Sequence, residues 1–259
     1  NDNTGTIALL SSGGIDGGSG TVLMRAANYA FGGADRTITT TGVLTIEPDA
    51  DENSFASSFD NQYLNPVSVT GLTLGKSSNA SAITLSRAIS LSGPVSIYGG
   101  SIDVNANITA NSGNILLDAD TGSTLNQSST GILLDDVITI ETVTSGNLTL
   151  IGRSGDTGSG FDGIDASSAN TTTLRSAGNL TLQGYSYAAS GSGRGVDLNN
   201  DVIAASGTVS MSGQHNTGAT YAISLSGSTS ITAGTGVTLE SLNDNTGTIA
   251  LLSSGGIDG

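Results

Sequence analysis

Short runs in which apolar and polar residues alternate recur along the whole chain. The most regular run is a small residue followed by apolar positions two apart, as in GNLTL at 146 and at 178. Such alternation indicates a β-strand with one buried face, and no helical period is present. Nine runs share the pattern: GTVLM at 20, GVLTI at 42, TGLTL at 70, GPVSI at 93, GNILL at 113, GNLTL at 146 and 178, GTVSM at 207 and TGVTL at 235.

Two further alternating runs follow within most of these intervals. The second-strand runs are AITLS at 82, SIDVN at 101, GILLD at 131, GIDAS at 163, GVDLN at 195, AISLS at 222 and TIALL at 248. The third-strand runs are RTITT at 36, PVSVT at 66, AISLS at 88, NITA at 107, VITIE at 137, VIAA at 202 and SITA at 230. Alternate apolar residues, such as Ile83 and Leu85, are expected to point inward at the same place in every coil.

Three short strands per coil, with Gly, Asn and Ser at the corners, predict an all-β fold. We expect a right-handed parallel β-solenoid of about nine three-strand coils, in which each coil pairs with the coils above and below it. At a strand spacing of ~4.8 Å, nine coils give a rod of roughly 43 Å. A β-sandwich or a barrel is the alternative, but neither predicts three-element coils that repeat along the chain.

The chain begins and ends with the same seventeen residues, since NDNTGTIALLSSGGIDG occupies both 1–17 and 243–259. Nine coils fill the 242-residue interval between the two starting points. We therefore expect 1–259 to be one continuous solenoid segment, made of a 242-residue repeat and an overlap, within a tandem array that forms a fibre. Each copy is predicted to supply the second and third strands of the ninth coil.

Composition narrows the possible functions. Hydrophobic residues make up 36% and aromatic residues 4%, so the core must be thin and built mainly from Leu, Ile, Val and Ala. A net charge of −15 without a basic patch argues against binding nucleic acid. No apolar run approaches the roughly 20 residues of a membrane helix, so membrane insertion is not expected. The absence of Cys excludes disulfides and thiolate metal sites.

The GNLTL, GNILL and GTVSM runs resemble the β-solenoid repeats of filamentous-haemagglutinin-like bacterial surface proteins. The stretch from 71 to 119 looks especially like the repeats of giant bacterial adhesins. This resemblance implies a secreted or cell-surface fibre that serves adhesion, aggregation or biofilm formation. Together with the repeat, it leads us to expect a protein that is not an enzyme and whose partners are further copies of the repeat, neighbouring fibres or cell-surface glycans.

Aspartates on the second strands are the candidate metal ligands. Asp165 and Asp197 occupy the outward position in consecutive coils, and Asp162 and Asp201 lie close to them in sequence. Like charges that stack in a ladder are destabilising, and a Ca²⁺ ion with its oxygen ligands would relieve the repulsion. The alternative is that the carboxylates point into solvent and are screened. No cofactor is required by this interpretation, and Ca²⁺ is the one ion proposed.

The longest excursion between strands, from 47 to 65, is the candidate binding loop. Its acidic and aromatic side chains would bind sugars by carboxylate hydrogen bonds and ring stacking, or contact a neighbouring fibre. The alternative is a flap that packs its own aromatic rings over the solenoid. The residues concerned are Asp49, Asp51, Glu52, Phe55, Phe59, Asp60 and Tyr63.

The sequence disfavours two other classes of function, of which a β-helical carbohydrate-active enzyme stays the alternative to the fibre. A β-helical polysaccharide lyase or hydrolase would need basic residues beside its carboxylates, but Lys76, Arg153, Arg175 and Arg194 are scattered, and His215 is expected to be a solvated turn residue. Ice or crystal binding would need a flat Thr ladder, and the TITTT and NTTTL runs at 37 and 170 do not continue into one.

Overall fold

A computed structural model describes residues 5–10, 14–49, 52–119, 129–134, 136–167, 170–216, 218–242 and 247–259. Within these ranges the chain forms 29 β-strands and no helix. Each strand pairs in parallel with the strand three places earlier or later in the chain. The chain is therefore a right-handed parallel β-solenoid with three faces, and the predicted fold class is confirmed.

The strands of each face are stacked in chain order. The first face is one nine-stranded sheet: β3 (Val22–Arg25), β6 (Val43–Glu47), β9 (Gly71–Leu74), β12 (Val95–Gly99), β15 (Ile115–Ala119), β18 (Leu148–Arg153), β21 (Leu180–Tyr185), β24 (Thr208–Gln214) and β27 (Gly236–Ser241). The second face contains a two-stranded sheet, β1 (Thr6–Ala8) and β4 (Asn28–Ala30), and an eight-stranded sheet: β7 (Phe59–Asp60), β10 (Ile83–Leu85), β13 (Ile102–Val104), β16 (Ile132–Leu133), β19 (Ile164–Ala166), β22 (Val196–Asn199), β25 (Tyr221–Ser226) and β28 (Thr248–Leu251). The third face contains a three-stranded sheet, β2 (Ile15–Asp16), β5 (Arg36–Thr39) and β8 (Leu64–Val67), and a seven-stranded sheet: β11 (Ile89–Leu91), β14 (Ile108–Ser112), β17 (Thr139–Ser145), β20 (Thr173–Ser176), β23 (Val202–Ala205), β26 (Ser230–Ala233) and β29 (Ile257–Asp258).

Aliphatic side chains form ladders down the inside of the rod. On the first face Leu148 is paired in register with Leu180, and Leu150 with Leu182. All four are 0% exposed, because each inward side chain is covered by its neighbours in the coils above and below. Complete burial of a Leu or Ile side chain stabilises a fold by about 1.5–3 kcal/mol. The alternation seen in the sequence therefore marks the residues that hold the coils together.

The corners before the first-face strands explain why the sequence repeats Gly-Asn. The side-chain oxygen of Asn114 accepts the backbone amide of Asn147 (2.9 Å), and that of Asn147 accepts the amide of Asn179 (2.8 Å). Gly146 has φ +112°, and a Cβ there would lie 1.9 Å from the carbonyl oxygen of Gly113. The corners can stack only with glycine at this position, and the asparagine ladder supplies acceptors for amides outside the strands.

Candidate functional sites

Three aspartates come together on the second face, where the chain enters strands β19 and β22. Asp165 is paired in register with Asp197 across these strands, as the sequence predicts. Asp162 precedes β19, and one carboxylate oxygen from each of the three side chains lies within 4.8 Å of the others. Oxygen ligands gathered in this way have the chemistry that Ca²⁺ prefers.

Arg194 supplies positive charge to the same cluster. Its guanidinium Nη1 is ion-paired with Oδ2 of Asp197, and its backbone amide donates a hydrogen bond of 2.5 Å to Oδ1 of Asp162. The expectation that Arg194 is one of several scattered basic residues is therefore wrong. Its spacing of three from Asp197 was the signal that could have placed it in the cluster.

Burial raises the pKa values of two aspartates in the cluster. Asp162 is 8% exposed and Asp197 is 3% exposed. Desolvation raises the pKa of Asp162 to about 7, and the neighbouring charges of Asp165 and Asp197 act in the same direction. Burial also raises the pKa of Asp197, although Arg194 opposes that shift. A bound cation would favour the charged forms that burial disfavours.

Asp201 performs a different task from the other three. Its Oδ1 accepts the amide of Thr172 and its Oδ2 accepts the amide of Asn199, each at 2.9 Å. The carboxylate is 0% exposed and lies outside the group of three close ligand oxygens. Burial raises the pKa of Asp201 to about 7 despite these hydrogen bonds. Asp201 therefore ties two coils together at a corner, and its place among the predicted metal ligands does not fit this geometry.

The aromatic rings of the predicted binding loop lie in the core. Phe55 and Phe59 are each 4% exposed and pack on each other with ring centroids 5.5 Å apart. Tyr29 meets both of them edge to face, at 5.6 and 5.7 Å. Tyr63 is partly buried against the same core. Stacking of a sugar on the two Phe rings does not fit this packing, which agrees with the alternative of a segment that packs its own rings.

The same segment also belongs to a sheet. Phe59–Asp60 forms β7, which pairs with β10 and supplies the second-face strand of its coil. The sequence pattern predicts no strand there, because two residues are too few to show alternation.

The acids of the segment remain outside the core. Asp49 and Asp60 are exposed and Glu52 is half-buried, whereas Asp51 lies outside the described residues. The ammonium group of Lys76 donates to the backbone carbonyls of Asp49 and Glu52. Lys76 therefore fastens the start of the segment to the next coil, and the exposed carboxylates are the part of the predicted site that a partner could reach.

Arg153 and His215 each contact neighbouring residues of the solenoid. Arg153 pairs with Asp118 at 3.0 Å and lies 5.5 Å from the centre of the Tyr185 ring. His215 is 7% exposed, and its Nδ1 contacts the carbonyl of Asn216. The prediction of a solvated histidine is therefore wrong. Its turn is folded inward, because the side-chain amide of Asn216 donates to the carbonyl of Ala188 (3.0 Å).

A row of hydroxyl groups on the first face was missed by the sequence analysis. The outward residue at the centre of each strand lies beside its counterpart in the next coil, as Thr149 lies beside Thr181. The row reads Leu23, Thr45, Thr73, Ser96, Leu116, Thr149, Thr181, Ser210 and Thr238, so that hydroxyl groups occupy seven of its nine positions and the two leucines interrupt it. The signal was the polar letter between two apolar letters in seven of the nine first-strand runs, all except GTVLM at 20 and GNILL at 113. The TITTT run does not form a ladder, because Thr37 pairs with Asn65 and Thr39 with Val67.

The two identical end segments use opposite edges of the same strand. In the first copy, the carbonyl of Gly5 and the amide of Leu9 bond to the coil that follows, at 3.0 and 2.8 Å. In the second copy the amide of Leu252, which is equivalent to Leu10, bonds to Leu225 in the coil that precedes it (2.8 Å). These backbone groups alternate along the strand. One strand of this sequence could therefore pair on both sides at once.

Apolar side chains are uncovered where the second copy ends the stack. Leu225 is 2% exposed, whereas Leu251, its neighbour in the same ladder, is 57% exposed. In the same way Ile231 is 1% exposed and Ile257 is 45% exposed. A cavity of about 270 Å³ opens between these ladders. Leu251 and Ile257 therefore lack the cover that Leu225 and Ile231 have in the same ladders.

Comparisons with known proteins give no family for the chain. No family model, curated protein or solved structure matches it. The described residues contain no helix that is long and apolar enough to span a membrane.

Proposed function

We propose that this chain is a structural and adhesive element of an extracellular fibre, built from tandem 242-residue β-solenoid repeats, and not an enzyme. The observation that carries the proposal is the pair of end segments. The same strands bond to the following coil in one copy and to the preceding coil in the other, so in a tandem array the solenoid of one repeat would lead into the solenoid of the next.

The junction between repeats would complete all three faces. On the first face, β27 would meet β3 of the next repeat, and Val237 and Leu239 would stack on the inward residues of that strand. On the second face, Ala8 of β1 is paired with Ala30 of β4. The same register, extended by one residue, places Leu9 beside Phe31. The equivalent Leu251 would then be covered by Phe31 of the next repeat. Ile257 would likewise be covered by Ile38, the partner of the equivalent Ile15.

Adhesion would act through side chains that recur once per repeat along the fibre. The exposed acids Asp49 and Asp60 and the hydroxyl row through Thr149 and Thr181 are outward-facing candidates for contact with glycans or neighbouring fibres. Contacts repeated every ~43 Å allow weak individual affinities to add up to strong attachment. A location at the cell surface or in a biofilm matrix follows from this proposal and from the resemblance to giant adhesins.

Electron microscopy of the native material tests the fibre. We expect long unbranched filaments with an axial repeat close to nine strand spacings, roughly 43 Å. Compact, monodisperse particles would contradict the proposal. Attachment of cells or glycans to the filaments, measured before and after substitution of Asp49 and Asp60 by Asn, tests the adhesive part.

Ca²⁺ is proposed as a stabilising ion at Asp162, Asp165 and Asp197, since their oxygens lie within 4.8 Å of each other. Arg194 already balances part of this charge, so the ion would add stability to a folded solenoid rather than be needed for folding.

A β-helical polysaccharide lyase or hydrolase is the alternative function. One observation favours it: a carboxyl group whose pKa is raised to about 7, Asp162, lies beside other carboxylates and an Arg, which is the kind of group that serves as a general acid. Its burial to 8% exposure argues against access by a polymer. Release of shorter chains from acidic polysaccharides on incubation with the protein would support the alternative and contradict the proposed function.

A further inference from the structure

The two end segments compete for one place when two copies of this chain meet end to end. The second copy leaves one edge of β28 and β29 unpaired, and the first copy occupies the edge of β4 and β5 that such strands would need. Both segments have the same sequence. Two chains cannot join as a continuous solenoid while both segments keep their places, because the joint has room for one of them.

We propose that copies of this chain join head to tail by strand exchange, in which one of the two segments is displaced and the other pairs on both sides. The partner is a second copy of the same chain, and the exchanged element is the pair of strands β1 and β2 or the equivalent pair β28 and β29. The inference rests on the proposed fibre and adds the mechanism by which separate chains extend it.

Exchange replaces the strand pairing that the displaced segment gives up. When β28 of one chain takes the place of β1 in another, it makes the same register with β4 that β1 made, because the residues are identical. Pairing on the two sides uses different backbone groups: the second copy bonds to its own chain through Leu252, whereas pairing to the next coil uses the equivalents of Gly5 and Leu9.

The joint also adds contacts that neither chain has alone. Strand β27 gains β3 as a neighbour, so the nine-stranded sheets of the two chains become continuous. Leu251 and Ile257, which are 57% and 45% exposed at the open end, become covered. The driving force is therefore burial of apolar surface and one new strand pair, set against the loss of free motion on association.

Disulfide locks test the exchange without disturbing the core. Asp16 is paired in register with Thr39, and the equivalent Asp258 is paired with Thr232. Neighbouring parallel strands lie about 4.8 Å apart, which is within the Cα separation that a disulfide spans. The chain has no cysteine, so the variants D16C/T39C and T232C/D258C carry one lock each, on the first and on the second segment.

The unlocked chain is expected to form head-to-tail oligomers whose average mass, measured by light scattering after size exclusion, rises at least about twofold with concentration. Each single lock should leave assembly intact, because the other segment can still exchange. The chain with both locks should remain monomeric when oxidised and assemble again on reduction, and its reduced form is the control for the lost Asp side chains.

Two results would overturn the inference. Assembly of the oxidised double-lock chain at the level of the unlocked chain would show that ends simply abut, and a monomeric unlocked chain at all concentrations would show that they do not join. Neither result affects the filaments expected of native material, because repeats that follow one another within one chain need no exchange to continue the solenoid. Failure of the exchange and failure of the fibre are therefore separate outcomes.

Discussion

Replacing Asp162 by Asn should stabilise the protein at neutral and alkaline pH. The carboxyl group is 8% exposed, and its pKa rises from 3.8 to about 7 in the folded chain. The folded state therefore binds a proton more tightly than the unfolded state does. The contribution of this group is fully favourable below about pH 4 and is lost as the pH rises to about 7.

The size of the effect follows from this rise in pKa. At 1.36 kcal/mol per pKa unit, the charged form of Asp162 costs about 4 kcal/mol above pH 7. The side-chain amide of the D162N variant would carry no charge, and its oxygen could still accept the backbone amide of Arg194, which lies 2.5 Å from Oδ1 in the native chain. We expect D162N to lose most of the pH dependence that this one group contributes between pH 4 and 7.

Urea unfolding at pH 5 and pH 8 in the presence of EDTA measures the difference. D162N should exceed the native chain in free energy of unfolding at pH 8, and the two should approach each other at pH 5. Adding Ca²⁺ at pH 8 should raise the stability of the native chain and leave D162N unchanged, because the variant lacks one of the three carboxylates. A variant that is less stable than the native chain in EDTA at pH 8 would refute the electrostatic reasoning. Equal responses to Ca²⁺ would refute the metal site.

Three further substitutions test the stacking of the coils. G146A should lower the melting temperature, because its Cβ would lie 1.9 Å from a carbonyl oxygen and φ is +112° there. The control G33A should be neutral, because a Cβ at Gly33 meets no atom within 4 Å. Equal melting temperatures for the two variants would contradict the corner geometry. L150A should cost about 2–5 kcal/mol in urea unfolding, and L23A, at an outward position that is 51% exposed, should cost far less; similar losses would mean that the inward ladder is misassigned. F55A should cost about 3–5 kcal/mol and make the segment from 52 to 63 sensitive to limited proteolysis, and unchanged cleavage would show that the ring does not anchor it.

The sequence by itself determined the repeating part of the fold. Every predicted first-face strand is present, from GTVLM at β3 to TGVTL at β27, because each coil buries the same inward positions and burial imposes the same alternation. The corner glycine Gly146 was visible for the same reason, since stacked corners leave no room for a side chain. The register of Asp165 with Asp197 followed from counting along equivalent strands.

Only the tertiary structure decided the features that arise where one coil differs from the next. Strand β7 consists of two residues and is held by its neighbour β10 rather than by its own pattern. Phe55 and Phe59 looked like exposed rings in an acidic loop, but they meet Tyr29 across the core. Arg194 joins the aspartates because its turn places the side chain over Asp197. Alternation along one strand fixes which way a side chain points, whereas the length and path of the turns decide which side chains meet, and those turns vary from coil to coil.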